Sequence, residues 1–358
     1  MVRTYFPDKL TPARYDSFLA SGWFRGSVML YKMDVLCIEK DLFSVVNIRL
    51  NLRDYSMKKS LSKLFRRNLT RFRVEINPAR VNRDREVLYQ MQKPKFRGFI
   101  HHSLHDYLHA GFFRTVFDTW EVSVYDGERL IAMSYFDKGL KSIASLLGLQ
   151  DPEYAKYSLG IFTMLIEIEY ARSQEMKWYY PGYVLDKESS FNYKLRLGDF
   201  EFYNQNKRWV SFEKFSPETF LSNRISVRLD ELRALFRTRE WRCEFLYYPY
   251  FSMGFMSNWD TRFVKFPILI STGKLLPQGE VFISYDIENE LYVLFVAAVA
   301  EDYGQLVNME ISEEYQDPVY ICNLLKEELV LVNTADAMEM VTFIENNGLI
   351  PDSWQFTY

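Results

Sequence analysis

The residues with the clearest chemical potential lie near the middle of this 358-residue chain. Ser158 and Gly160 open a predicted helix, where free backbone N–H groups could receive a phosphate or an oxyanion. Ordinary helix capping by Ser158 explains the same pattern. Along that helix, Glu167 and Glu169 stand out from apolar neighbours, and about 200° of helix separates them. Glu169 precedes Arg172 by three residues, so it is either a proton acceptor or an ion-pair partner.

An aromatic stretch follows this helix and also carries two cations, Lys194 and Arg196. Its tyrosines include Tyr180, Tyr183 and Tyr193. Aromatic rings beside cations suit stacking on a base or a ribose, and they suit plain packing as well.

All four histidines fall in the single window HHSLHDYLH. On a helix, His101, His105 and His109 would share one face, with Asp106 nearby. A surface stripe, a metal site and a catalytic base all remain open, although thiolate partners for zinc are absent from this window. The three cysteines, Cys37, Cys243 and Cys322, lie too far apart in sequence for a local metal site.

Several classes of protein are excluded by pattern. The chain has no G-x-S-x-G, P-loop or dinucleotide motif, and the turn KYSLGIF lacks the R/Q-x-x-G-x-G/A loop that binds acetyl-CoA. No apolar run reaches the ~18 residues of a membrane span, and the N-terminus lacks a signal core. We therefore expect a cytoplasmic protein with no membrane partner; its oligomeric state stays open.

Basic and acidic residues are concentrated in different parts of the chain. Residues 49–100 hold 15 Lys and Arg against four acids, a net +11, whereas residues 281–358 hold one Lys against 15 acids, a net −14. Within the basic segment, the sequence SMKKSLSKLFRRN predicts an amphipathic helix with a cationic side. Such a surface attracts the phosphates of a nucleic acid, although a solvated basic face is the alternative.

The order of predicted elements indicates an α+β protein. A hairpin about Asp126 and Gly127, a third strand, a helix over 158–174 and a strand near 176–180 form the core pattern of the GNAT-like acyltransferase fold, a mixed and mostly antiparallel sheet with helices. The character of the sequence changes near Pro217. We expect one region over 1–215, with its GNAT-like core at about 70–215, and a second, acidic α+β domain of unknown role over 216–358.

Taken together, short motifs in chain order resemble those of the arginyl/leucyl-tRNA–protein transferases, the N-degron enzymes that append an amino acid to a protein N-terminus. The motifs are Tyr5-Phe6-Pro7, Gly22-Trp23-Phe24-Arg25 with Tyr31, Ser60 with Arg66-Arg67-Asn68, Ser158-Leu159-Gly160, Ile168-Glu169-Tyr170-Ala171-Arg172, Tyr180-Pro181-Gly182-Tyr183, Phe191 with Tyr193, Lys194 and Arg196, and Trp209.

The resemblance covers about residues 1–212 and implies attack by a protein α-amine on the ester of an aminoacyl-tRNA. It implies catalytic roles for Ser158, Gly160 and Glu169, with the turn at 158–160 receiving the acceptor end. It implies substrate binding by Tyr180, Tyr183, Tyr193, Lys194 and Arg196, with a cation for an acidic Asp or Glu acceptor. It implies tRNA binding by Lys58, Lys59, Lys63, Arg66, Arg67 and Asn68.

The chain also departs from the family. Family members carry cysteines that bind a metal or an iron–sulfur cluster, whereas this chain has Thr4 at the first position and retains only Cys37 of the second group. We therefore expect no cofactor and no metal. Two alternatives to aminoacyl transfer stay open: a GNAT-like acyltransferase with another donor, and a non-catalytic descendant that binds RNA or protein.

Overall fold

The computed structural model describes residues 2–112, 114–258, 260–301 and 309–354. Its strands and helices are numbered here in chain order. The strands are β1 (Val2–Tyr5), β2 (Phe24–Gly26), β3 (Met29–Met33), β4 (Val35–Ile38), β5 (Asp41–Asn51), β6 (Arg73–Pro78), β7 (Phe99–Ile100), β8 (Thr119–Asp126), β9 (Arg129–Lys138), β10 (Ser142–Gln150), β11 (Trp178–Tyr180), β12 (Tyr183–Leu185), β13 (Phe200–Tyr203), β14 (Trp209–Ser211), β15 (Phe245–Tyr247), β16 (Ile268–Leu276), β17 (Gly279–Asp286), β18 (Leu291–Val299), β19 (Glu310–Ile311) and β20 (Leu325–Thr334). The helices are α1 (Pro12–Ala20), α2 (Lys59–Arg71), α3 (Arg83–Gln92), α4 (Leu104–His109), α5 (Leu159–Ser173), α6 (Leu221–Thr238) and α7 (Ala337–Asn346).

The main sheet has the strand order β14-β13-β5-β11-β10-β9-β8-β6, and β4 and β12 also pair with β5. β10 and β11 run parallel, and α5 connects them; the other strand pairs described in this sheet are antiparallel. This order of three antiparallel strands, helix and strand is the one predicted for the GNAT-like core. The predicted α+β class is confirmed.

The hairpin of β8 and β9 forms where alternating β-branched and aromatic residues flank a tight turn. Gly127 occupies this turn with a φ of +59°, a left-handed conformation that glycine adopts at no steric cost. The turn predicted from Asp126 and Gly127 is therefore present.

Helix α5 is buried against β8, β9 and β10 because apolar residues cover almost its whole circumference. Helix α2 packs on α5, with Phe65 and Phe162 rings 5.8 Å apart. On the opposite face of the sheet, α3 and α4 pack on Met133, Tyr135 and Leu149.

The C-terminal residues build a second sheet with the order β15-β16-β17-β18-β20, covered by α6 and α7. Its core also includes Val35, Cys37 and Leu42 from β4 and β5. The two parts therefore share apolar packing, and the boundary placed at 215–216 stays a prediction. No helix in the described residues is long and apolar enough to cross a membrane.

Candidate functional site

The site begins where two parallel strands part. β10 and β11 pair only from Ser142 with Trp178 to Ala144 with Tyr180. Beyond that point the chain after β11 turns away, and β12 pairs with β5 instead. The separation opens a cavity of about 800 Å³, and residues 144–148 and 180–183 line its two edges. Ligand sites in sheet proteins commonly occupy such openings between diverging strands.

The turn between β11 and β12 requires a glycine. Gly182 has a φ of +89°, and a Cβ at this position would lie 3.6 Å from Lys194 Nζ. A larger residue would therefore strain the backbone and approach the cation of the cavity.

Aromatic and aliphatic side chains make up most of the cavity wall. The N-terminal segment contributes Trp23, Phe24 and Tyr31, and the C-terminal part contributes Phe251 and Tyr315, among others. The C-terminal part thus contributes to the cavity, which the sequence did not predict.

The charge of the cavity is one-sided. Its charged lining residues are Arg25, Lys95, Arg97 and Lys194, and none of the described lining residues is Asp or Glu. Such a site attracts anionic groups and offers no carboxylate to a bound cation.

Arg25 is committed to structure. Its guanidinium donates to Asp137 Oδ1 at 2.7 Å, to the Leu108 carbonyl at 2.7 Å and to the Ser27 carbonyl at 2.7 Å, and Asp137 also accepts a hydrogen bond from Tyr15. Both side chains of the Arg25–Asp137 pair are 1% exposed. Because these donors already have acceptors, Arg25 fixes the wall of the cavity.

Lys194 is the cation best placed for a ligand. Its ammonium donates to the Tyr183 carbonyl at 2.9 Å and lies 5.3 Å and 5.2 Å from the ring centroids of Tyr183 and Phe191. Within the described residues no carboxylate forms an ion pair with it. Burial lowers the pKa of Lys194 to about 8, so the group is still largely charged at neutral pH.

The predicted substrate-binding residues divide into two groups. Tyr180, Tyr183, Tyr193 and Lys194 all line the cavity. Arg196 is exposed and does not line it, because the short 3₁₀ helix Ser190–Leu197 directs successive side chains to different sides.

The predicted catalytic turn lies outside the cavity. The Gly160 N–H donates to Gln150 Oε1 at 3.1 Å, so it already has an acceptor. Ser158 has a left-handed φ of 52° and makes no side-chain capping bond, which corrects the expected capping role. The roles of Ser158 and Gly160 in catalysis stay predictions.

Glu169 also lies outside the cavity. Its carboxylate accepts a hydrogen bond from Arg172 at 2.9 Å, as in the ion pair considered above. Its assignment as proton acceptor stays a prediction that this placement does not favour. Glu167, which faces the sheet and is 0% exposed, was singled out in the sequence without a role.

The predicted tRNA surface is the outer side of α2. The five cations predicted to bind tRNA there are all exposed: Lys58, Lys59, Lys63, Arg66 and Arg67. Asn68 belongs to a different side, because it is 0% exposed and donates from its amide to the Tyr157 carbonyl at 2.9 Å. Asn68 therefore anchors the helix and is not accessible to a phosphate, which corrects its predicted contact with tRNA.

The histidine window does not form one helical stripe. Helix α4 begins at Leu104, so His101 precedes it, and the His101 ring contacts Tyr107 instead. The His105 and His109 rings stack with centroids 5.0 Å apart. The described residues contain no group of three or more His, Cys, Asp or Glu that could hold a metal ion.

Several of the motifs that carried the resemblance line the cavity, whereas those of α2, the 158–160 turn and residues 168–172 do not. Its lining includes Gly22, Trp23, Phe24, Arg25, Tyr31, Tyr180, Pro181, Gly182, Tyr183, Phe191, Tyr193, Lys194 and Trp209. A family model described as the C terminus of arginine-tRNA–protein transferase matches residues 74–204. Over this region the chain is similar to the arginyl/leucyl-tRNA–protein transferase family. The predicted family is confirmed.

Individual relatives carry names from the same family. The chain is 24% identical over 219 residues to an aspartate/glutamate leucyltransferase of Leptospira interrogans, covering 59% of this chain and 83% of the relative. It is 26% identical over 200 residues to the aspartate/glutamate leucyltransferase of Vibrio vulnificus, covering 53% of this chain and 80% of the relative. Among solved structures, a tandem GNAT protein from the clavulanic acid biosynthesis pathway matches with a TM-score of 0.33 and 13% identity, covering 59% of this chain and 62% of that one.

The residues present do not fit the metal centre of the transferase family. Thr4 and Cys37 both line the cavity, but Cys37 Sγ donates to the Pro267 carbonyl at 3.3 Å. Burial raises the pKa of this thiol, which disfavours the thiolate that a metal would need.

Proposed function

We propose that this protein transfers an amino acid of the Leu class from an aminoacyl-tRNA to the α-amine of a protein that begins with Asp or Glu. The amine attacks the ester carbonyl carbon, the bond from that carbon to the ribose oxygen breaks, and the tRNA leaves with a free ribose hydroxyl that takes up the amine's proton. Family membership supports the reaction class. The observation that carries the choice of substrates is a largely apolar cavity that has cations but no described carboxylate.

The wall of the cavity favours an apolar aminoacyl group. An arginyl group would place a guanidinium among aromatic and aliphatic side chains, where no described lining residue could pair with it. Burying an unpaired charge in this way costs several kcal/mol, on the order of 3–5. A leucyl group would instead gain from contact with the same wall. The names of the relatives, aspartate/glutamate leucyltransferases, agree with this choice.

The acceptor requires a cation, and Lys194 is positioned to provide one. An ammonium has three donors, and the Tyr183 carbonyl takes one of them. A carboxylate of an N-terminal Asp or Glu could accept another, forming a charge-assisted bond inside the cavity. Tyr180, Tyr183 and Tyr193 would then contact the terminal nucleotide or the aminoacyl group.

The body of the tRNA would lie on the exposed cations of α2. Lys59 and Lys63 have no ion-pair partner among the described residues, and Arg67 lies 5.8 Å from the Tyr157 ring. Lys95 and Arg97, exposed at the cavity wall, would meet the phosphates of the acceptor end. The position of the 158–160 turn beside α2 supports a contact with tRNA more than one with the reacting atoms.

The experiment is transfer of labelled leucine from charged tRNA to three peptides that differ only in their first residue, Asp, Glu or Ala. We expect product with Asp and Glu and at least 10-fold less with Ala, a ratio typical for loss of one charged hydrogen bond. Binding of tRNA without transfer of any amino acid would instead indicate a non-catalytic descendant. Transfer from another acyl donor alone would indicate the other alternative.

A further inference from the structure

A buried carboxyl lies directly behind the cavity. Glu167 on α5 faces the main sheet with 0% exposure, and its Oε2 accepts a hydrogen bond from the Tyr179 hydroxyl at 2.7 Å. Its Oε1 makes no hydrogen bond of good geometry among the residues that the structure describes, although the Ser134 and Ser145 hydroxyls lie nearby. Buried polar atoms are nearly always satisfied, so an unsatisfied carboxyl oxygen here calls for a functional explanation.

Glu167 lies next to the point where β10 and β11 separate. Hydroxyls from three strands surround its carboxyl: Ser134 on β9, Ser145 on β10 and Tyr179 on β11. The pairing of β10 with β11 ends at Ala144 and Tyr180, so Ser145 and Tyr179 flank the point where the strands part. Ser145 also lines the cavity. One hydroxyl group therefore lies between the cavity and the buried carboxyl.

The environment of Glu167 suits proton exchange near neutral pH. Burial raises the pKa of its carboxyl to about 7, and the three hydroxyls oppose that rise. The titratable groups that face it are Tyr179 on β11 and Tyr193 on the 3₁₀ helix Ser190–Leu197. Burial raises the pKa of both tyrosines, so they stay neutral where Glu167 titrates. A base is most effective when its pKa lies near the working pH.

We propose that Glu167 accepts the proton of the attacking amine through the Ser145 hydroxyl. This inference rests on the proposed function. The amine nitrogen bonds to the ester carbonyl carbon and gives its proton to Ser145 Oγ, whose own proton passes to Glu167. When the bond from that carbon to the ribose oxygen breaks, Glu167 returns the proton through Ser145 to the leaving oxygen. Glu167 does not contact the substrate; it acts through Ser145, whose hydroxyl it positions to accept and return the proton.

The test is the pH dependence of single-turnover transfer to an Asp-starting peptide. The peptide amine, with a pKa of ~7.7–8, must be deprotonated. If Glu167 must also be deprotonated, the logarithm of the rate rises with a slope of about two below pH ~7 and about one from there to the amine pKa of ~7.7–8, above which the rate levels off. In Glu167→Gln we expect a slope of about one at all pH values below the amine pKa of ~7.7–8, and a rate lower by about 10²-fold near pH 8.

Two further variants separate proton transfer from structure. Ser145→Ala should reproduce the single slope, whereas Ser145→Thr, which keeps the hydroxyl, should restore the double slope; these variants decide the matter if Glu167→Gln does not fold. As a control, Glu121→Gln alters a buried carboxylate that pairs with Arg85, and its folded fraction should keep the double slope.

Two results would overturn the inference. A slope of about two in both Glu167→Gln and Ser145→Ala would refute it and leave the proposed function standing. Absence of transfer by the unmodified protein would refute the proposed function and the inference with it.

Discussion

At the scale of single residues, Lys194 and Arg196 show why position decides function. Both are cations of the same aromatic stretch, and the sequence offered both as partners of an acidic acceptor. Only Lys194 lines the cavity, where Tyr183 and Phe191 surround its ammonium. The side of the 3₁₀ helix on which each residue lies, which sequence spacing did not reveal, makes the difference.

Lys194→Met should impair use of acidic acceptors specifically. A charge-assisted hydrogen bond is worth about 1.5–3 kcal/mol, so kcat/KM for Asp- and Glu-starting peptides should fall by about 10- to 150-fold, mainly through KM. Because burial lowers the pKa of Lys194 to about 8, the wild-type preference for acidic over Ala-starting peptides should also decline above that pH.

Steady-state kinetics with both peptides check this prediction. The same substitution at Arg196 should change the preference by less than twofold, a bound set by its exposed position. Equal losses from the two variants would show that neither side chain holds the acceptor carboxylate in the manner described.

Glu167 should leave a signature in stability as well as in rate. Burial raises its pKa from 4.5 to about 7, so the folded protein holds this proton over a range where the unfolded chain has released it. Stability must therefore fall as pH rises from ~4.5 to ~7, by a total of about 3 kcal/mol. Glu167→Gln should lack this component.

Urea unfolding of both proteins at about pH 5 and pH 8 measures the effect. The wild type should lose about 2–3 kcal/mol more than the variant on going to the higher pH, the range expected for such a shift. Parallel changes in the two proteins would mean that the carboxyl titrates normally.

The surroundings of the two glutamates of α5, Glu167 and Glu169, were only partly predictable from the sequence. Their separation around the helix predicted that they face different surroundings, and they do. Which of them faces the cavity side was not predictable, because the hydroxyls around Glu167 come from β9, β10 and β11, at sequence distances that no local pattern spans.

At the scale of elements, local patterns in the sequence predicted the helices and strands best. The basic helix and the hairpin are present because each has a repeat of apolar residues or a turn glycine, and α5 is present because it is apolar on almost all sides. Asn68 is the instructive exception. It falls in the basic motif of α2, yet its side chain is buried against Tyr157, a contact made with a segment 89 residues away.

The outer side of α2 should account for much of the salt dependence of tRNA binding. Replacing Lys59 and Lys63 with Ala removes two phosphate contacts, so the slope of log affinity against log salt should decrease by about 2. The control is the pair Lys265→Ala and Lys274→Ala in the C-terminal part. Filter binding at several salt concentrations would refute the assignment if both double variants kept the wild-type slope.

At the scale of the whole molecule, the C-terminal part is a structural partner of the site. It supplies Phe251 and Tyr315 to the cavity wall, and the Glu310 carboxylate binds Lys93 at 2.6 Å. The acidic composition of residues 281–358 indicated a separate domain but not this contact, because the surfaces that meet are more than 100 residues apart in sequence.

Asp186 should prove essential for joining the two parts. Its buried carboxylate accepts hydrogen bonds from the Ser44 N–H at 2.8 Å and from the Ser222 hydroxyl at the start of α6. Asp186→Ala leaves both donors unpaired and should cost about 3–5 kcal/mol in the free energy of unfolding. Asp230→Ala, on the exposed side of α6, should cost less than about 0.5 kcal/mol. Similar unfolding midpoints for the two variants would contradict this role.

Competition between donors tests the central claim most directly. Equal amounts of leucyl-tRNA and arginyl-tRNA are offered to the intact protein with an Asp-starting peptide, and mass spectrometry identifies the product. The cavity wall is mostly apolar, and its charged residues are all cations among the described lining. We therefore expect leucine on the peptide α-amine in at least 10-fold excess over arginine, because an arginyl side chain would be buried there without a partner for its charge. Arginine in excess, or a peptide that stays unmodified, would contradict the account.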